Sequence, residues 1–507
     1  MRHEPFSQRG LVEQGKLQTL LSGPSVPAIG VPSHAAAASL ISKRVLSGLV
    51  RLGDGFVAAG LGAIIFLAYL RPETLTESAS YVTFLLGVAL AVPVLFTGAG
   101  LYSTHAFLRP VEHLPRLAGC WLLIFAALFA LLFFAQAGDS YSRLWAGSWF
   151  VGGLGMLTAY RGIVAIAVRR WNKDGRLDRR AVLYGGGKPA EDLLEAMRAS
   201  SDCDVTVIGV FDDRNDDRSP SSIGGLRKLG NTSQLVDFVR RNRTDLLIVT
   251  LPLTAEARLL QVLKRLWVLP IDIRLSAYTQ KLRYRPRAYS YVGNIPLVDV
   301  FDKPLSDWSQ VAKFLEDRVL SFLLLVLVSP VMALIALAIK LDSKGPVFFK
   351  QKRYGFNNEL IEVYKFRSMY TDLSDANAEK LVSKGDPRVT RVGKFIRKTS
   401  LDELPQLFNV LRGELSLVGP RPHATHAKAA NALYTDVVEG YFARHKVKPG
   451  ITGWAQINGW RGETDTAEKI ERRVEHDLYY IENWSLFFDL YILARTPIAL
   501  LKTENAY

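Results

Sequence analysis

Two adjacent acids, Asp402 and Glu403, lie in the part of this chain that is densest in residues capable of chemistry, RKTSLDELPQLFNVLRGELSLVGPRP at 397–422. Ser400 and Glu403 have the spacing of a capping box just before an apolar-periodic run. Pro405 is tolerated only near a helix start, so the first turn is expected here. Glu403 could therefore cap its own helix, whereas the spacing explains Asp402 only as an acid favoured by the helix dipole.

Several cations accompany these acids in the sequence. Arg397 and Lys398 precede them, Arg421 follows on a Gly-Pro-Arg-Pro turn, and VYKFRSM places Lys365 and Arg367 on a predicted strand. Arginine can grip a phosphate through two hydrogen bonds, and Mg²⁺ prefers one or two carboxylates together with substrate phosphate oxygens. A carboxylate can also attack phosphorus. The pattern indicates phosphate chemistry with a divalent cation, while a surface network of ion pairs stays open as the alternative.

Three long segments then resemble one family. FFKQKRYGFNNELIEVYKFRSM, the acidic segment at 397–422 and HKVKPGITGWAQINGWRG occur in the order found in the bacterial sugar transferase family. Its members are monotopic phosphoglycosyl transferases, also called polyprenyl-phosphate hexose-1-phosphate transferases. The resemblance runs from about residue 313 to the C-terminus, and the preceding part is similar to the long form typified by undecaprenyl-phosphate glucose phosphotransferases.

The resemblance implies a two-step transfer. Asp402 would attack the β-phosphate of a UDP-hexose bound with Mg²⁺, expel UMP and hold the sugar phosphate covalently until polyprenyl (undecaprenyl) phosphate takes it. Glu403 would assist at the metal or in proton transfer, so that both acids are expected metal ligands. The remaining matching positions would bind phosphate or lie near the site: Arg397, Arg421, Lys365 and Arg367. The expected sugar is glucose, with galactose as the nearest rival, and the product would initiate an exopolysaccharide or related glycan.

Two other functions stay open on the sequence. The first is a membrane NAD-dependent enzyme that modifies sugar nucleotides through the glycine turn at 185–187, with a ribose-binding acid at Asp212 or Asp213. Ala190 stands where the third glycine of the dinucleotide pattern would be, which speaks against it. The second is a non-catalytic scaffold of polysaccharide assembly, against which the intact acid pair and its arginines speak.

The elements that must position these residues begin with four apolar runs, at 55–70, 81–101, 117–136 and 144–168. Each approaches or exceeds the ~20 residues that cross a bilayer as a helix. Basic residues before the first run, between the second and third, and after the fourth indicate that both ends of the bundle face the cytoplasm. Arg161, inside the fourth run, is expected to snorkel toward that face.

Residues 171–305 have a different pattern. AVLYGGG, VTVIGVFDD, DLLIVT and DIRLS are typical of strands, and helical stretches separate them. This alternation predicts a small parallel sheet of Rossmann type.

A fifth apolar run, at 319–339, is interrupted by Ser329-Pro330 and has basic flanks on both sides. Proline removes a helical hydrogen bond, and the freed backbone group needs a partner, for which Ser329 is a candidate. Because positive flanks stay inside, the run is predicted to enter the membrane and return, and a kinked spanning helix stays open as the alternative. SLFFDLYILARTPIALL, interrupted by Asp489, Arg495 and Pro497, is predicted to lie in the membrane interface.

The predicted fold class is therefore a four-helix transmembrane bundle, a Rossmann-like α/β module and a mainly α-helical monotopic catalytic domain with a re-entrant membrane helix. The expected domains are a disordered cytoplasmic tail (1–45), the bundle (46–170), the module (171–305) and the catalytic domain (306–507). Together with the family resemblance, this arrangement implies a multi-pass protein of the bacterial inner membrane with its catalytic domain on the cytoplasmic face.

Composition narrows the partners. The 507-residue chain has a formal net charge of +15, and its apolar runs favour anionic lipid and phosphorylated substrates over nucleic acid. Its 2 cysteines, Cys120 and Cys203, cannot build a disulfide framework or a thiolate metal site. We expect inner-membrane lipids as partners and no nucleic acid, and a homo-oligomer stays open.

Overall fold

A computed structural model describes residues 42–70, 75–134, 136, 141–174, 176–200, 203, 205–214, 222–252, 255–276, 290–292, 295–371, 386–422, 428–429, 432–433, 441–460 and 467–501. The predicted tail lies outside the described residues as far as residue 41. The chain divides into two compact units, Ser39–Asp178 and Arg179–Tyr507, each of which we describe by itself.

The first unit is helical. Its elements are α1 (Lys43–Tyr69), α2 (Leu75–Gly98), the short α3 (Thr104–Leu108), α4 (Pro110–Phe134) and α5 (Arg143–Lys173). The four long helices are each long and apolar enough to cross a membrane. Buried tryptophans join α5 to α1: the indole of Trp145 donates to Gly62 O at 3.0 Å, and that of Trp149 to Ala58 O at 2.7 Å.

The snorkelling predicted for Arg161 is wrong. Arg161 is 6% exposed, and its Nη2 lies 2.6 Å from Oδ2 of the fully buried Asp54. Its Nη1 donates to Leu101 O at 2.9 Å. Asp54 stands one residue before the first predicted run, but α1 begins at Lys43, so the acid lies well inside the helix. An unpaired charge at this depth is costly, and an opposite charge on the facing helix lowers that cost.

The second unit begins with an eight-stranded sheet in the order β3-β4-β2-β1-β5-β6-β8-β7. Its strands are β1 (Arg179–Tyr184), β2 (Val205–Phe211), β3 (Ser222–Ile223), β4 (Leu226–Gly230), β5 (Leu246–Val249), β6 (Asp272–Ser276), β7 (Ser290–Val292) and β8 (Ile295–Phe301). The helices are α6 (Lys188–Ala199), α7 (Thr232–Arg241) and α8 (Glu256–Leu266). The predicted parallel pairing holds for β2, β1, β5 and β6, whereas β8 runs antiparallel to β6.

The remainder is built on one long helix. Its helices are α9 (Asp307–Asp342), α10 (Arg391–Lys398), α11 (Gln406–Arg412), α12 (Trp454–Ile457), α13 (Ala467–Glu482) and α14 (Leu486–Leu501). Its strands are β9 (Phe348–Tyr354), β10 (Leu360–Phe366), β11 (Ser416–Val418), β12 (Lys428–Ala429), β13 (Ala432–Leu433) and β14 (Gly450–Thr452). The hairpin β9-β10 is antiparallel, and β11 pairs with β14 in parallel.

Both halves of α9 pack against this same domain. Leu320 and Leu325 join a core that contains Leu407 of α11, while Met332 and Ile335 join one that contains Ile396 of α10. At 36 residues the helix is about 54 Å long at 1.5 Å per residue. Apolar side chains on its other faces stay exposed, among them Leu327 at 73%. The helix is also apolar enough to enter a membrane.

A buried ion pair fixes the N-terminal half of α9. Lys313 Nζ lies 2.5 Å from Asp489 Oδ2, and Asp489 also accepts from Tyr480 Oη at 2.9 Å and Trp484 Nε1 at 3.0 Å. Asp489 and Pro497, predicted to interrupt the last apolar stretch, both lie inside the continuous helix α14. Asp489 is tolerated because it points inward to Lys313, while Phe487 of the same helix is 82% exposed.

Candidate active site

Asp402 and Glu403 lie in a single 3₁₀ turn, Leu401–Glu403, that connects α10 to α11. The predicted capping box does not form, because Ser400 has φ 58° and ψ 17°, in the left-handed region, instead of the extended backbone of an N-cap. Leu401 and Leu404 on either side pack with Met332 and Ile335 of α9. The membrane helix and the turn that holds the acids are thus parts of one apolar cluster.

Glu403 is held by two cations instead of capping the helix. Lys365 Nζ lies 2.9 Å from its Oε1, and Arg421 places Nη2 2.7 Å from Oε1 and Nη1 3.2 Å from Oε2. Burial raises the pKa of Glu403, but the charges and hydrogen bonds of Arg421 and Lys365 outweigh burial and hold that pKa well below its ordinary value. Glu403 is therefore a fixed anion that orients both cations.

Asp402 has a different environment. It is half-buried. Burial raises the pKa of Asp402 above its ordinary value, and the charge of Glu403 adds to this, against the lowering effects of Lys365 and Arg397. Two neighbouring carboxylates whose pKa values are pushed in opposite directions have separate chemical tasks. Glu403 is fixed by Arg421 and Lys365, whereas Asp402 has a raised pKa beside the same cations.

Two further arginines, which the sequence did not single out, brace this centre. Arg353 Nη1 donates to Pro422 O, and Arg444 Nη2 donates to Arg421 O at 2.9 Å, so both fix the backbone that carries Arg421. Arg444 is itself paired with the buried Asp477 at 2.6 Å. Burial and the charge of Arg421 lower the pKa of Arg353 to about 10. Of these arginines, only Arg353 could have been identified from the sequence, because it lies inside the first segment that resembles the family.

A further arginine, Arg473, lies close enough to Arg444 to interact with its charge. Arg473 donates from Nη2 to Trp460 O at 2.6 Å, and burial together with the charge of Arg444 lowers its pKa to about 10. Concentrated positive charge of this kind suits a ligand that carries more than one phosphate.

The other predicted site residues have distinct places. Arg397 is in the last turn of α10 and acts on Asp402 through its charge. Arg367 is 4% exposed and donates from Nη2 to Ser343 O at 2.8 Å and from Nη1 to Thr371 Oγ1 at 2.9 Å. Its guanidinium thus caps the C-terminal end of α9 instead of joining Lys365 beside the acids.

Ser329 and Pro330 form a local device within α9. Pro330 has no N–H to donate to the carbonyl of Val326, and Ser329 Oγ donates to that same carbonyl at 2.9 Å. The hydroxyl therefore satisfies the acceptor that the proline leaves open, as the sequence indicated.

A metal at this turn would need ligands from its substrate. Among the described residues, no group of three or more His, Cys, Asp or Glu side chains could hold a metal ion. Two adjacent carboxylates do fit Mg²⁺, which commonly takes one or two carboxylates and completes its shell with phosphate oxygens and water. Lys365 and Arg421 occupy much of the Glu403 carboxylate, so Asp402 has the more open oxygens.

The glycine turn of the α/β module already holds an anion of its own. Gly186 N donates to Asp212 Oδ2 at 2.6 Å, and Arg214 also pairs with that carboxylate at 2.8 Å. Asp213 accepts from Thr232 N at 2.7 Å. The backbone amide that would face a ligand phosphate in a dinucleotide site is thus taken by a side chain.

Two protein-family models match this chain. The model of the bacterial sugar transferase family matches residues 308–503, and that of a CoA-binding domain matches residues 98–277. The first range contains all the residues of the acid pair and its basic surroundings. The second includes the glycine turn, where the Asp212 carboxylate does not fit a phosphate group of CoA.

Known proteins are similar over most of the chain. The UDP-glucose:undecaprenyl-phosphate glucose-1-phosphate transferase of Escherichia coli (strain K12) is 37% identical over 429 residues, 83% of this chain and 89% of that protein. The undecaprenyl-phosphate glucose phosphotransferase of Komagataeibacter xylinus is 42% identical over 335 residues, 66% of this chain and 61% of that protein. The undecaprenyl-phosphate galactose phosphotransferase of Salmonella typhimurium (strain LT2) is 29% identical over 402 residues, 76% of this chain and 80% of that protein.

Proposed function

Because this chain belongs to the bacterial sugar transferase family, we propose that it transfers glucose-1-phosphate from UDP-glucose to undecaprenyl phosphate and releases UMP. The observation that carries the proposal is the split acid pair: Glu403 is fixed between Lys365 and Arg421, and Asp402 is left beside the same cations. Glucose is favoured over galactose because identity is higher to the two glucose enzymes than to the galactose enzyme.

In the first step, a carboxylate oxygen of Asp402 bonds to the β-phosphorus of UDP-glucose. The bond from that phosphorus to the bridging oxygen breaks, and UMP leaves with the bridging oxygen and its electron pair. Arg421 and Lys365 stabilise the negative charge that develops on the phosphoryl oxygens. The glucose phosphate then remains on Asp402 as an acyl phosphate.

In the second step, a phosphate oxygen of undecaprenyl phosphate attacks the same phosphorus. The bond between phosphorus and Asp402 breaks, which restores the carboxylate and forms undecaprenyl-diphospho-glucose. The attacking oxygen is already anionic, so the step needs no strong base. In the first step, Asp402 and Glu403 would hold Mg²⁺, whose charge would offset that of the UDP-glucose diphosphate.

We also propose that α9 enters the membrane and returns to the side it came from. The turn with Asp402 packs with Met332, just after Pro330, so a membrane-crossing α9 would hold the acids and cations near the bilayer centre. Charged groups are costly there and out of reach of a water-soluble nucleotide sugar. Re-entry keeps the centre at the cytoplasmic surface of the bacterial inner membrane, where the donor and the lipid phosphate meet.

The NAD-dependent alternative has less support. Its diphosphate would have to replace Asp212 at the glycine turn and would meet the negative charge of Asp213 as well. A non-catalytic scaffold would not require the opposed pKa shifts of Asp402 and Glu403. The transferase function therefore agrees better with the acid pair and with the occupied glycine turn. Its product would initiate an exopolysaccharide or related glycan.

A donor panel tests the proposal. The full-length protein is incubated with undecaprenyl phosphate, Mg²⁺ and, in turn, UDP-glucose, UDP-galactose and UDP-N-acetylgalactosamine, and UMP is measured. We expect release that depends on the lipid with UDP-glucose. Preference for UDP-galactose would overturn the sugar assignment. If none of the three UDP-sugars gave UMP, the transferase function would be overturned.

A further inference from the structure

A cavity in the membrane unit opens between α4 and α5. Its volume is about 180 Å³, and its wall is mostly apolar, with Leu101, Leu114 and Leu117 among the lining residues. An apolar cavity of ~150 Å³ can hold a benzene molecule, so this one has room for a small head group or a few carbon atoms. Val111, also part of the lining, is 79% exposed, which opens the cavity toward the lipid side of α4.

Two polar side chains interrupt this apolar wall. Arg161 and His113 both line the cavity. The Nε of Arg161 and the Nδ1 of His113 are buried nitrogens that have no hydrogen-bond partner among the described residues. Because a buried polar group without a partner is unfavourable, two of them on one cavity indicate a ligand that accepts hydrogen bonds.

The charge around the cavity selects an anion. The ion pair with Asp54 neutralises Arg161, and Glu112 is paired with Arg109 at 3.0 Å. Arg116 acts on His113 electrostatically, and Arg169 lies nearby, donating to Leu108 O at 2.8 Å. His105 Nδ1 lies 3.2 Å from His113 Nε2, so a second imidazole extends the polar side. The local excess of positive groups complements a negative head group.

We propose that this cavity binds a single-chain lipid phosphate of the polyprenyl phosphate class, with the phosphate against Arg161 and His113 and the chain leaving past Val111. The choice of lipid rests on the proposed function. A neutral lipid would leave the local positive charge uncompensated, and a soluble nucleotide has no long apolar chain to lie against the leucines. The site would hold the acceptor lipid, or its glycosylated product, within the membrane unit.

Gly162 supplies a direct way to close the site. It lines the cavity, and a Cβ at this position would meet no atom within 4 Å. Gly162→Leu therefore extends a side chain into the cavity from a Cβ that meets no protein atom, and it also improves helix propensity. Gly155, exposed on the same helix and with nothing within 4 Å of its Cβ position, gives the matched control Gly155→Leu.

The test is photolabelling of the full-length protein in phosphatidylcholine nanodiscs with a diazirine-bearing polyprenyl phosphate, followed by peptide mapping. We expect labelled peptides from Pro110–Phe134 and Arg143–Lys173. Gly162→Leu should reduce that labelling by roughly tenfold, because its side chain takes the space of the ligand, and Gly155→Leu should leave it unchanged. Unlabelled polyprenyl phosphate should compete, while phosphatidylglycerol and inorganic phosphate should not.

The opposing outcomes are distinct. Label confined to residues 308–503, or equal labelling in Gly162→Leu, would overturn the site. Equal competition by phosphatidylglycerol would mean that the cavity accepts any anionic lipid. Competition by inorganic phosphate would mean that the lipid chain contributes nothing to binding. Either result would overturn the proposal. UMP release from UDP-glucose in the same nanodiscs separates the two claims, because it fails if the proposed function fails, whatever the labelling shows.

Discussion

At the scale of single residues, two adjacent carboxylates have different partners and therefore different pKa shifts. Arg421 and Lys365 approach Glu403 at 2.7 Å and 2.9 Å, which fixes its charge. Asp402, one residue earlier, has its pKa raised by burial and by that fixed charge. Ser400, with a left-handed backbone, precedes the 3₁₀ turn in which these two adjacent side chains have different partners.

The pH dependence should report the ionisation of Asp402. The nucleophile must be a carboxylate, so kcat/KM for UMP release should fall as pH falls through the raised pKa of Asp402. Lys365 lowers that pKa, and Lys365→Met should therefore move the acid limb of the profile to higher pH. The exposed Lys350, paired with Glu362 on the surface, supplies the control Lys350→Met, which should leave the limb in place. A limb that moves to lower pH in Lys365→Met would contradict the assignment.

Arg421 and Arg367 should differ in what they support. Arg421→Lys loses the two-point grip on Glu403 and should lower kcat/KM by roughly 10–100-fold with little change in unfolding temperature. Arg367→Lys loses hydrogen bonds to the end of α9 and should destabilise the fold by about 2 kcal/mol while the folded fraction keeps its activity. Thermal unfolding and UMP release on both variants check this, and the reverse assignment of effects would refute it.

At the scale of elements, the Ser329 hydroxyl in α9 replaces the hydrogen bond that Pro330 cannot donate. Ser329→Ala should leave Val326 O without a donor and cost about 1–3 kcal/mol. Pro330→Ala restores a backbone N–H that can bond to the same carbonyl, so the double variant should be more stable than Ser329→Ala alone. Thermal unfolding of the two single variants and the double variant in detergent measures this coupling. Additive effects would mean that the two residues act independently.

The elements were largely predictable from periodicity, and the misses have physical causes. The apolar runs and the βα alternation predicted the long helices and the central strands, because each buries a face with its own period. Arg161 was misplaced because its partner Asp54 is 107 residues away in the chain. Arg367 was expected to bind phosphate because its sequence segment resembles the family's. The segment does not show that the strand ends at residue 366 and that the Arg367 side chain contacts the end of α9. Such long-range polar pairing has no local signal.

The whole molecule consists of two compact units, and the proposed transfer centre lies in the second of them. The acids, their cations and the bracing arginines all lie within the range of the bacterial sugar transferase match, 308–503. A variant that begins at Arg179, the first residue of the second unit, should therefore retain release of UMP from UDP-glucose in nanodiscs. Circular dichroism and the oligomeric state are the controls for folding. A folded variant without UMP release would show that the membrane unit takes part in the chemistry.

The central claim is that Asp402 forms the covalent intermediate. The direct measurement is intact-protein mass spectrometry after the full-length protein meets UDP-glucose and Mg²⁺ without any lipid acceptor, followed by peptide mapping. We predict one hexose phosphate on the peptide with Asp402, one UMP released per adduct, and loss of the adduct when undecaprenyl phosphate is added. Asp402→Asn should form no adduct, while the surface variant Glu362→Gln should form it as the unmodified protein does. An adduct on another residue, or unimpaired transfer by Asp402→Asn, would contradict the account.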